Sequence, residues 1–133
     1  GKSELAREGK DLTMIAYGAM IRPTLEAADI LNEKDGLQTE VVDLLTISPM
    51  DESIFVESVQ KTGRAMVIHE APKTLGPGAE VVSRLVEKAF YYLEAPVTRV
   101  TGFDVTIPLF AREKAYIPSV HRIVRAARKL IEA

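Results

Sequence analysis

The sequence predicts an α/β domain in which a mainly parallel sheet lies between two layers of helices. Two observations support this prediction. Short apolar runs alternate four times with stretches of helical periodicity, and the connections between them are short. The 133 residues fit one domain, with no internal repeat, low-complexity segment or interior linker. We therefore expect a single three-layer α/β/α sandwich over residues 1–133.

Four short apolar runs predict the strands. Each is bounded by turn residues such as Asp, Gly or Pro, as is typical of strands buried in a sheet. The runs cover residues 11–18, 39–45, 65–68 and 97–100. The first ten residues are charged and show no clear period, so the residues predict no element there.

Four stretches with apolar residues at helical spacing predict the helices, over residues 18–34, 50–62, 77–93 and 120–132. Gly36 and Gly63 are typical helix stops, and Asp51 is a plausible N-cap of the second helix. The positions predicted to face inward are Met20, Leu25, Ala28, Ile30 and Leu31, then Ile54, Val56 and Val59, then Val81, Val82, Leu85, Val86, Ala89 and Phe90, and finally Val120, Ile123, Val124, Ala127, Leu130 and Ile131.

Composition and charge exclude several classes of function. The net charge of −2 gives no broad field that would recruit nucleic acid or an anionic membrane. The absence of cysteine excludes disulfides, thiolate metal sites and thiol nucleophiles. No apolar run approaches the roughly 20 residues that span a membrane, and residues 1–5 are not a signal peptide. We expect a cytoplasmic location, or the mitochondrial matrix in a eukaryote, and the missing initiator Met indicates a truncated or processed chain.

His69 and Glu70 are the best chemical candidates, because they follow the third predicted strand, and open α/β sheets bind ligands at the carboxyl ends of their strands. Adjacent side chains on a strand point to opposite sides, so the two are not expected to form a dyad. A histidine near neutral pKa could donate a hydrogen bond to a substrate or a partner subunit. The alternative, which we favour for the domain alone, is that His69 anchors the strand end by bonding the loop at residues 72–78.

The other polar motifs are weaker candidates for a functional site than His69 and Glu70. The loop at residues 74–78 precedes a helix and could attract an anion, but its spacing fits neither a P-loop nor a dinucleotide fingerprint. Pro77 also removes a backbone donor. Asp51, Glu52 and Glu57 lack further metal ligands, and the two histidines are far apart, so we expect no dedicated metal site.

The C-terminal quarter carries two features that favour contacts with other chains. Basic residues of the last helix, Arg122, Arg125, Arg128 and Lys129, either complement the helix dipole or dock an acidic partner. The stretch 103–116 is rich in apolar residues for a loop, so part of it is predicted to be a subunit interface. The candidate interface residues are His69, Glu70, Pro72, Phe103, Phe110, Tyr116, Arg125 and Arg128.

A series of short motifs runs in order through nearly the whole chain. It includes Tyr17-Gly18, Glu40-Val41-Val42-Asp43-Leu44, Lys61-Thr62-Gly63-Arg64, His69-Glu70-Ala71-Pro72, Gly78-Ala79-Glu80, Arg99-Val100-Thr101-Gly102-Phe103-Asp104 and Tyr116-Ile117-Pro118. The series resembles the beta subunit of the thiamine-dependent first component of 2-oxo acid dehydrogenase complexes, pyruvate or branched-chain. The resemblance is to the C-terminal domain of that subunit, which is related to the last domain of transketolase. One departure is Leu75, where the family more often has a second glycine after Thr74.

The resemblance implies a mixed five-stranded sheet with one antiparallel edge strand, in a fragment of a longer beta subunit. The parent enzyme would decarboxylate a 2-oxo acid with thiamine diphosphate and Mg²⁺. In that family the alpha chain holds the diphosphate and Mg²⁺, and the cofactor-activating glutamate lies in the preceding domain of the beta chain. The resemblance therefore places no catalytic, cofactor-binding or metal-binding residue on this chain.

The resemblance also implies partners. They are the alpha subunit and a second beta subunit in an α2β2 heterotetramer, and the small subunit-binding domain of the acyltransferase component. The domain alone is expected to be inactive, without nucleic-acid or membrane partners. Two alternatives stay open, because the fold does not decide function: a free-standing binding or regulatory domain, and a small independent α/β enzyme that uses His69 and Glu70.

Overall fold

The computed structural model describes residues 2–102 and 118–133. The described part of the chain contains five strands: β1 Glu4–Arg7, β2 Leu12–Ala16, β3 Thr39–Asp43, β4 Ala65–Pro72 and β5 Thr98–Gly102. It also contains four α-helices: α1 Ile21–Asp35, α2 Ser53–Thr62, α3 Pro77–Ala89 and α4 Val120–Glu132. A 3₁₀ turn, Gly18–Met20, leads into α1, and another, Phe90–Tyr92, follows α3.

The strands form one mixed sheet in the order β1-β3-β2-β4-β5. The ladders β3-β2, β2-β4 and β4-β5 are parallel, and β1 pairs with β3 in the antiparallel sense. Helices α1 and α4 pack together on one face, and α2 and α3 pack together on the other. This arrangement confirms the predicted three-layer sandwich with a single antiparallel edge strand.

The core consists of two apolar clusters, one on each face of the sheet. Side chains alternate across a strand, so Met14 of β2 enters the cluster under α1 and α4 while its neighbour Ile15 enters the cluster under α2 and α3. All five residues of β2 are buried, as expected for a central parallel strand covered on both faces. This two-sided burial explains why β2 reads as a continuous apolar run in the sequence.

Two glycines end helices as the sequence predicted. Gly36 after α1 has φ 66°, and Gly63 after α2 has φ 78°. Both are left-handed conformations that side chains disfavour. The N–H of Gly63 donates to the carbonyl of Val59 at 2.8 Å, which satisfies one of the last carbonyls of the helix.

Several details of the predicted helices are wrong. Helix α2 begins at Ser53, and Glu52 rather than Asp51 occupies its N-cap position. The carboxylate of Asp51 instead accepts from the backbone N–H of Ser3 at 3.0 Å and of Ser53 at 3.2 Å. It therefore ties the start of α2 to the N-terminal segment, a contact that no local pattern reveals.

The inward faces of α2 and α3 also differ from prediction. Phe55 is fully buried although it was not predicted to face inward, whereas Val86 and Phe90 are 48% and 58% exposed. Helix α3 ends at Ala89, before its predicted end. The last apolar side chains of this segment therefore lie beyond the cover of the sheet and face solvent.

Candidate functional site at the carboxyl ends of β2 and β4

The strand order places a topological switch point between the carboxyl ends of β2 and β4. After β2 the chain continues to α1 on one face of the sheet, and after β4 it continues to α3 on the other. Open α/β sheets bind ligands at such a topological switch point. We call this region the carboxyl-end crevice and define it by Tyr17, His69, Glu70, Gly78 and Arg99.

The imidazole of His69 occupies the centre of the carboxyl-end crevice and is fully buried. Its Nδ1 lies 3.0 Å from the carbonyl oxygen of Ala71, and because a carbonyl only accepts, Nδ1 carries the proton. The ring stacks on Tyr17, with ring centroids 6.2 Å apart. The other nitrogen, Nε2, has no hydrogen-bond partner among the described residues.

Burial lowers the pKa of His69. The hydrogen bond to Ala71 opposes this shift, and the positive charge of Arg99 adds to it. The imidazole is therefore neutral near pH 7, so Nε2 presents a lone pair that nothing in the described part of the chain satisfies.

Gly78, in the first turn of α3, lies directly against this nitrogen. A Cβ placed on Gly78 would lie 2.6 Å from Nε2 of His69 and 3.5 Å from Cδ of Arg99. Only a residue without a side chain lets α3 approach β4 this closely. The predicted hydrogen bond from His69 to the loop at residues 72–78 is thus replaced by one to Ala71 within β4, and His69 meets the end of that loop only through its packing against Gly78.

Glu70 and Tyr17 interact electrostatically. Burial raises the pKa of Tyr17, and the negative charge of Glu70 raises it further. In the parts of the chain that are described, no hydrogen bond joins Glu70 to His69. The two residues therefore do not form an acid–base pair in this arrangement.

The described residues offer no cluster of metal ligands. Within residues 2–102 and 118–133, no group of three or more His, Asp or Glu side chains could hold a metal ion. No helix in those ranges is long and apolar enough to cross a membrane. What the carboxyl-end crevice presents is a rigid, buried acceptor beside a tyrosine ring.

The other predicted interface residues lie in different surroundings. Arg128 forms a two-point ion pair with Asp35 of α1, at 2.8 and 3.0 Å. Arg125 is exposed and lines a groove beside β5. Phe103, Phe110, Tyr116 and the side chain of Pro72 lie outside the described parts of the structure, and their interface role stays a prediction.

An exposed apolar surface at the end of α3 was not predicted from the sequence. In the last turn of α3 and just after it, the exposed side chains of Val86, Phe90 and Tyr91 border a groove of about 680 Å³, and Tyr92 follows them in the chain. We call Val86, Phe90, Tyr91 and Tyr92 the aromatic surface, and their exposed fractions are 48%, 58%, 96% and 53%. The run of three aromatics just before Ala95-Pro96 is the signal that could have revealed it, because a helix must end before such a proline.

The chain is similar to known proteins along most of its length. The family "Transketolase, C-terminal domain" matches residues 1–123. The chain is 46% identical over 132 residues to the pyruvate dehydrogenase E1 component subunit beta of Bacillus subtilis, covering 99% of this chain and 40% of that protein. It is 48% identical over 118 residues to the mitochondrial 2-oxoisovalerate dehydrogenase subunit beta of Dictyostelium discoideum, covering 89% and 32% respectively.

Two solved structures share the fold. A split-gene transketolase, described as an inactive beta4 tetramer, superposes with a TM-score of 0.84 at 30% identity, covering 98% of this chain and 41% of that one. The 2-oxoglutarate:ferredoxin oxidoreductase of Magnetococcus marinus superposes with a TM-score of 0.66 at 15% identity, covering 98% and 20%, which shows the fold alone. The chain thus spans about 40% or less of the proteins it matches, and the resemblance drawn from its motifs is confirmed.

Proposed function

The chain belongs to the transketolase C-terminal domain family, and from that premise we propose that it is the assembly and docking domain of a 2-oxo acid dehydrogenase beta subunit. The identity of 42 to 48% to such beta subunits supports the proposal. The parent enzyme would carry out thiamine-diphosphate-dependent oxidative decarboxylation of a 2-oxo acid. The thiamine diphosphate and Mg²⁺ would be held by residues outside this chain.

The aromatic surface is the observation that carries this proposal. Monomeric proteins rarely expose a contiguous apolar patch of this kind unless it binds something. Four large apolar side chains clustered at the end of one helix therefore favour a contact with another chain. In the proposed role, the domain supports an α2β2 heterotetramer and binds the subunit-binding domain of the acyltransferase.

Sedimentation velocity tests the proposal with a matched pair of variants. Tyr91 and Leu75 are both 96% exposed but lie at opposite ends of α3, roughly 20 Å apart along its axis. We expect the chain to self-associate or to bind the isolated subunit-binding domain. Tyr91→Glu should weaken that association at least about tenfold, as expected for loss of an aromatic anchor, while Leu75→Glu leaves it unchanged. Equal effects of both variants, or a chain that stays monomeric and binds nothing, would contradict the proposal.

Calorimetry with thiamine diphosphate and Mg²⁺ tests where the cofactor site lies. We expect no measurable heat of binding to residues 1–133. Micromolar affinity would show that this chain itself carries a cofactor site, and the non-catalytic assignment would fail.

The geometry does not favour the independent enzyme. Its proposed acid–base residues would be His69 and Glu70, but the His69 ring is buried and faces Gly78. His69→Ala should therefore alter stability or assembly without abolishing an activity of the isolated chain. The intact mass of the natural protein separates the remaining alternative, because a gene product that begins near residue 1 would favour a free-standing regulatory domain.

A further inference from the structure

Nε2 of His69 lies where a second proton on the ring would find no acceptor. Because Nδ1 already donates to the carbonyl of Ala71 at 3.0 Å, a further proton can bind only at Nε2. That nitrogen is buried and has no hydrogen-bond partner among the described residues. A Cβ on Gly78 would lie only 2.6 Å from it, so the first turn of α3 leaves little space for water beside the ring. A protonated His69 would therefore be a buried charge with an unused N–H donor.

The nearest polar groups of α3 and β5 oppose a positive charge on this ring. Gly78 is the second residue of α3, so the ring faces the helix end that carries the positive pole of the helix dipole. Burial lowers the pKa of His69, and the positive charge of Arg99, which packs against the same glycine, lowers it further. A helix amino terminus and a neighbouring cation both favour the neutral imidazole.

The other titratable groups around His69 do not provide a counter-charge at Nε2. On the β2 side the ring stacks on Tyr17, whose phenol is neutral near pH 7 because burial raises its pKa. Glu70, the next residue of β4, makes no hydrogen bond to His69 in the described parts of the chain. Glu80, in the first turn of α3, forms an ion pair with Arg84. Among the described residues, no carboxylate is hydrogen-bonded to the imidazole, so none stabilises its protonated form in this way.

The segment that lies over this nitrogen is exposed and strained. We call residues 73–78, which join β4 to the first turn of α3, the covering segment. Three consecutive residues of it, Lys73, Thr74 and Leu75, are exposed. Leu75 has φ 58°, in the left-handed region that side chains disfavour. Arg99 ties the covering segment to β5 by donating to the carbonyl of Lys73 at 3.0 Å. A segment of this kind opens locally at a low cost in free energy.

We propose that His69 is a pH-sensitive switch: when Nε2 binds a proton, the covering segment moves away from β4 while the rest of the sheet stays folded. In the open arrangement the protonated ring can donate to water and lies farther from the amino end of α3. The closed arrangement binds this proton less readily than an exposed histidine, whose ordinary pKa is 6.5. The open population therefore increases as the pH falls below about 6.5. The switch belongs to the domain itself and does not depend on the proposed assembly with other chains.

Amide hydrogen exchange followed by NMR tests the proposal, from about pH 7 to about pH 5, the range in which histidine titrates. The reporter is Ala79, whose N–H donates to the carbonyl of Gly76 at 3.0 Å in the closed arrangement, and the amides of β2 are the reference. Corrected for the intrinsic exchange rate at each pH, the protection of Ala79 should fall by up to about tenfold per pH unit below about 6.5. Its exchange should respond little to added urea, because a local opening exposes little surface, whereas exchange in β2 should follow global unfolding.

Three variants separate His69 from other causes of a pH response. His69→Gln, which does not bind a proton in this range, should make the protection of Ala79 independent of pH. Arg99→Gln removes the positive charge beside the imidazole and should reduce the change with pH, so it serves as a second variant if His69→Gln does not fold. His121→Gln changes the exposed histidine of α4 and should leave the response as it is.

Three outcomes would overturn the proposal. The first is a protection of Ala79 that does not change with pH in the unmodified chain. The second is the same pH dependence in His69→Gln, which would assign the response to another group. The third is equal protection and equal urea dependence of Ala79 and the amides of β2 at the lowest pH, which would show that protonation acts only through global unfolding.

Discussion

The two ends of the sheet each bury one ionisable side chain, but they satisfy it differently. At the amino ends of the strands, the carboxylate of Glu40 has several hydrogen-bond partners. At the carboxyl ends, one nitrogen of the His69 imidazole has no hydrogen-bond partner among the described residues. Glu40 accepts from the N–H of Gly9 at 3.1 Å and pairs with Lys61. Nearby, the hydroxyl of Thr13 lies 2.6 Å from that of Ser58 and 2.7 Å from that of Thr62. We call Gly9, Thr13, Glu40, Ser58, Lys61 and Thr62 the amino-end network.

The difference shows which buried polar groups stabilise the fold through hydrogen bonds. Burial alone would raise the pKa of Glu40, but hydrogen bonds from Lys61, Ser58 and Gly9 hold it below its usual value. Among the described residues, the carboxyl-end crevice leaves one acceptor, Nε2 of His69, without a hydrogen-bond partner at the switch point of the sheet, a condition that is rare for buried polar groups. The amino end is not perfect either, because the Thr39 hydroxyl is buried with no partner in the described part of the chain.

The largest expected effect follows from disrupting the amino-end network at its centre. Glu40→Ala leaves the donors of Gly9, Ser58 and Lys61 without their acceptor, and should lower the free energy of unfolding by roughly 3 kcal/mol. Urea denaturation measures this. Glu80→Ala is the control, because the Glu80 side chain is 56% exposed and its partner Arg84 keeps the ion pair with Glu52, so its loss should cost much less. A loss below about 1 kcal/mol for Glu40→Ala would mean that the network does not stabilise the fold.

A matched pair of glycine substitutions compares the two ends of the sheet directly. A Cβ on Gly9 would lie 2.4 Å from the backbone carbon of Thr39, whereas one on Gly78 would meet the His69 ring. Backbone moves less readily than a side chain, so Gly9→Ala should cost about 2 kcal/mol or more and Gly78→Ala about 1 kcal/mol. Thermal or urea unfolding gives both values.

The double variant Gly78→Ala/His69→Ala refines that comparison. Removing the ring frees the space that the new methyl group needs, so the two substitutions should cost less together than the sum of their separate effects. Strict additivity would mean that His69 and Gly78 are not in the tight contact described above. No such rescue is expected at Gly9, because its obstacle is backbone.

The smallest expected effect is on the pH dependence of the free energy of unfolding, to which His69 and Glu40 contribute in different pH ranges. The folded pKa of His69 lies below its ordinary value of 6.5, so the unfolded chain binds a proton first and stability falls as the pH drops below about 6.5. The folded pKa of Glu40 lies below its ordinary value of 4.5, so its contribution is lost only at lower pH.

Urea denaturation between pH 7 and pH 5 measures the His69 component, whose slope cannot exceed about 1.4 kcal/mol per pH unit. His69→Gln should flatten the slope in this range. His121→Gln, which changes the exposed histidine of α4, should preserve it. An unchanged slope in His69→Gln would show that its pKa is not shifted by folding.

Much of this fold can be predicted from local sequence patterns. The central strands β2, β3 and β4 can be recognised as short, mainly apolar runs because both of their faces are covered. Gly36 and Gly63 indicate helix ends because glycine readily adopts the left-handed backbone conformation found there. β1 cannot be predicted from its residues, since its side chains are mostly exposed and show no alternation. Its existence depends on pairing with β3, whose partner residues lie more than 30 positions away.

The candidate sites divide in the same way. The position of His69 at the end of an apolar run follows from the sequence, because strand ends are read from local composition. Its burial, its stacking on Tyr17 and its contact with Gly78 do not, because they join three separate segments. Likewise, Arg125 and Arg128 are both basic residues of α4, yet Arg125 lines a groove beside β5 and Arg128 pairs with Asp35.

The sequence by itself determined the three-layer class, the order of the main elements and the family resemblance, because each of these depends on patterns among residues close together in the chain. Only the tertiary structure decided which polar groups are satisfied and which cations pair with a carboxylate. It also decided which apolar residues of α3 stay exposed. Those properties depend on distances between segments far apart in sequence, and packing sets these distances.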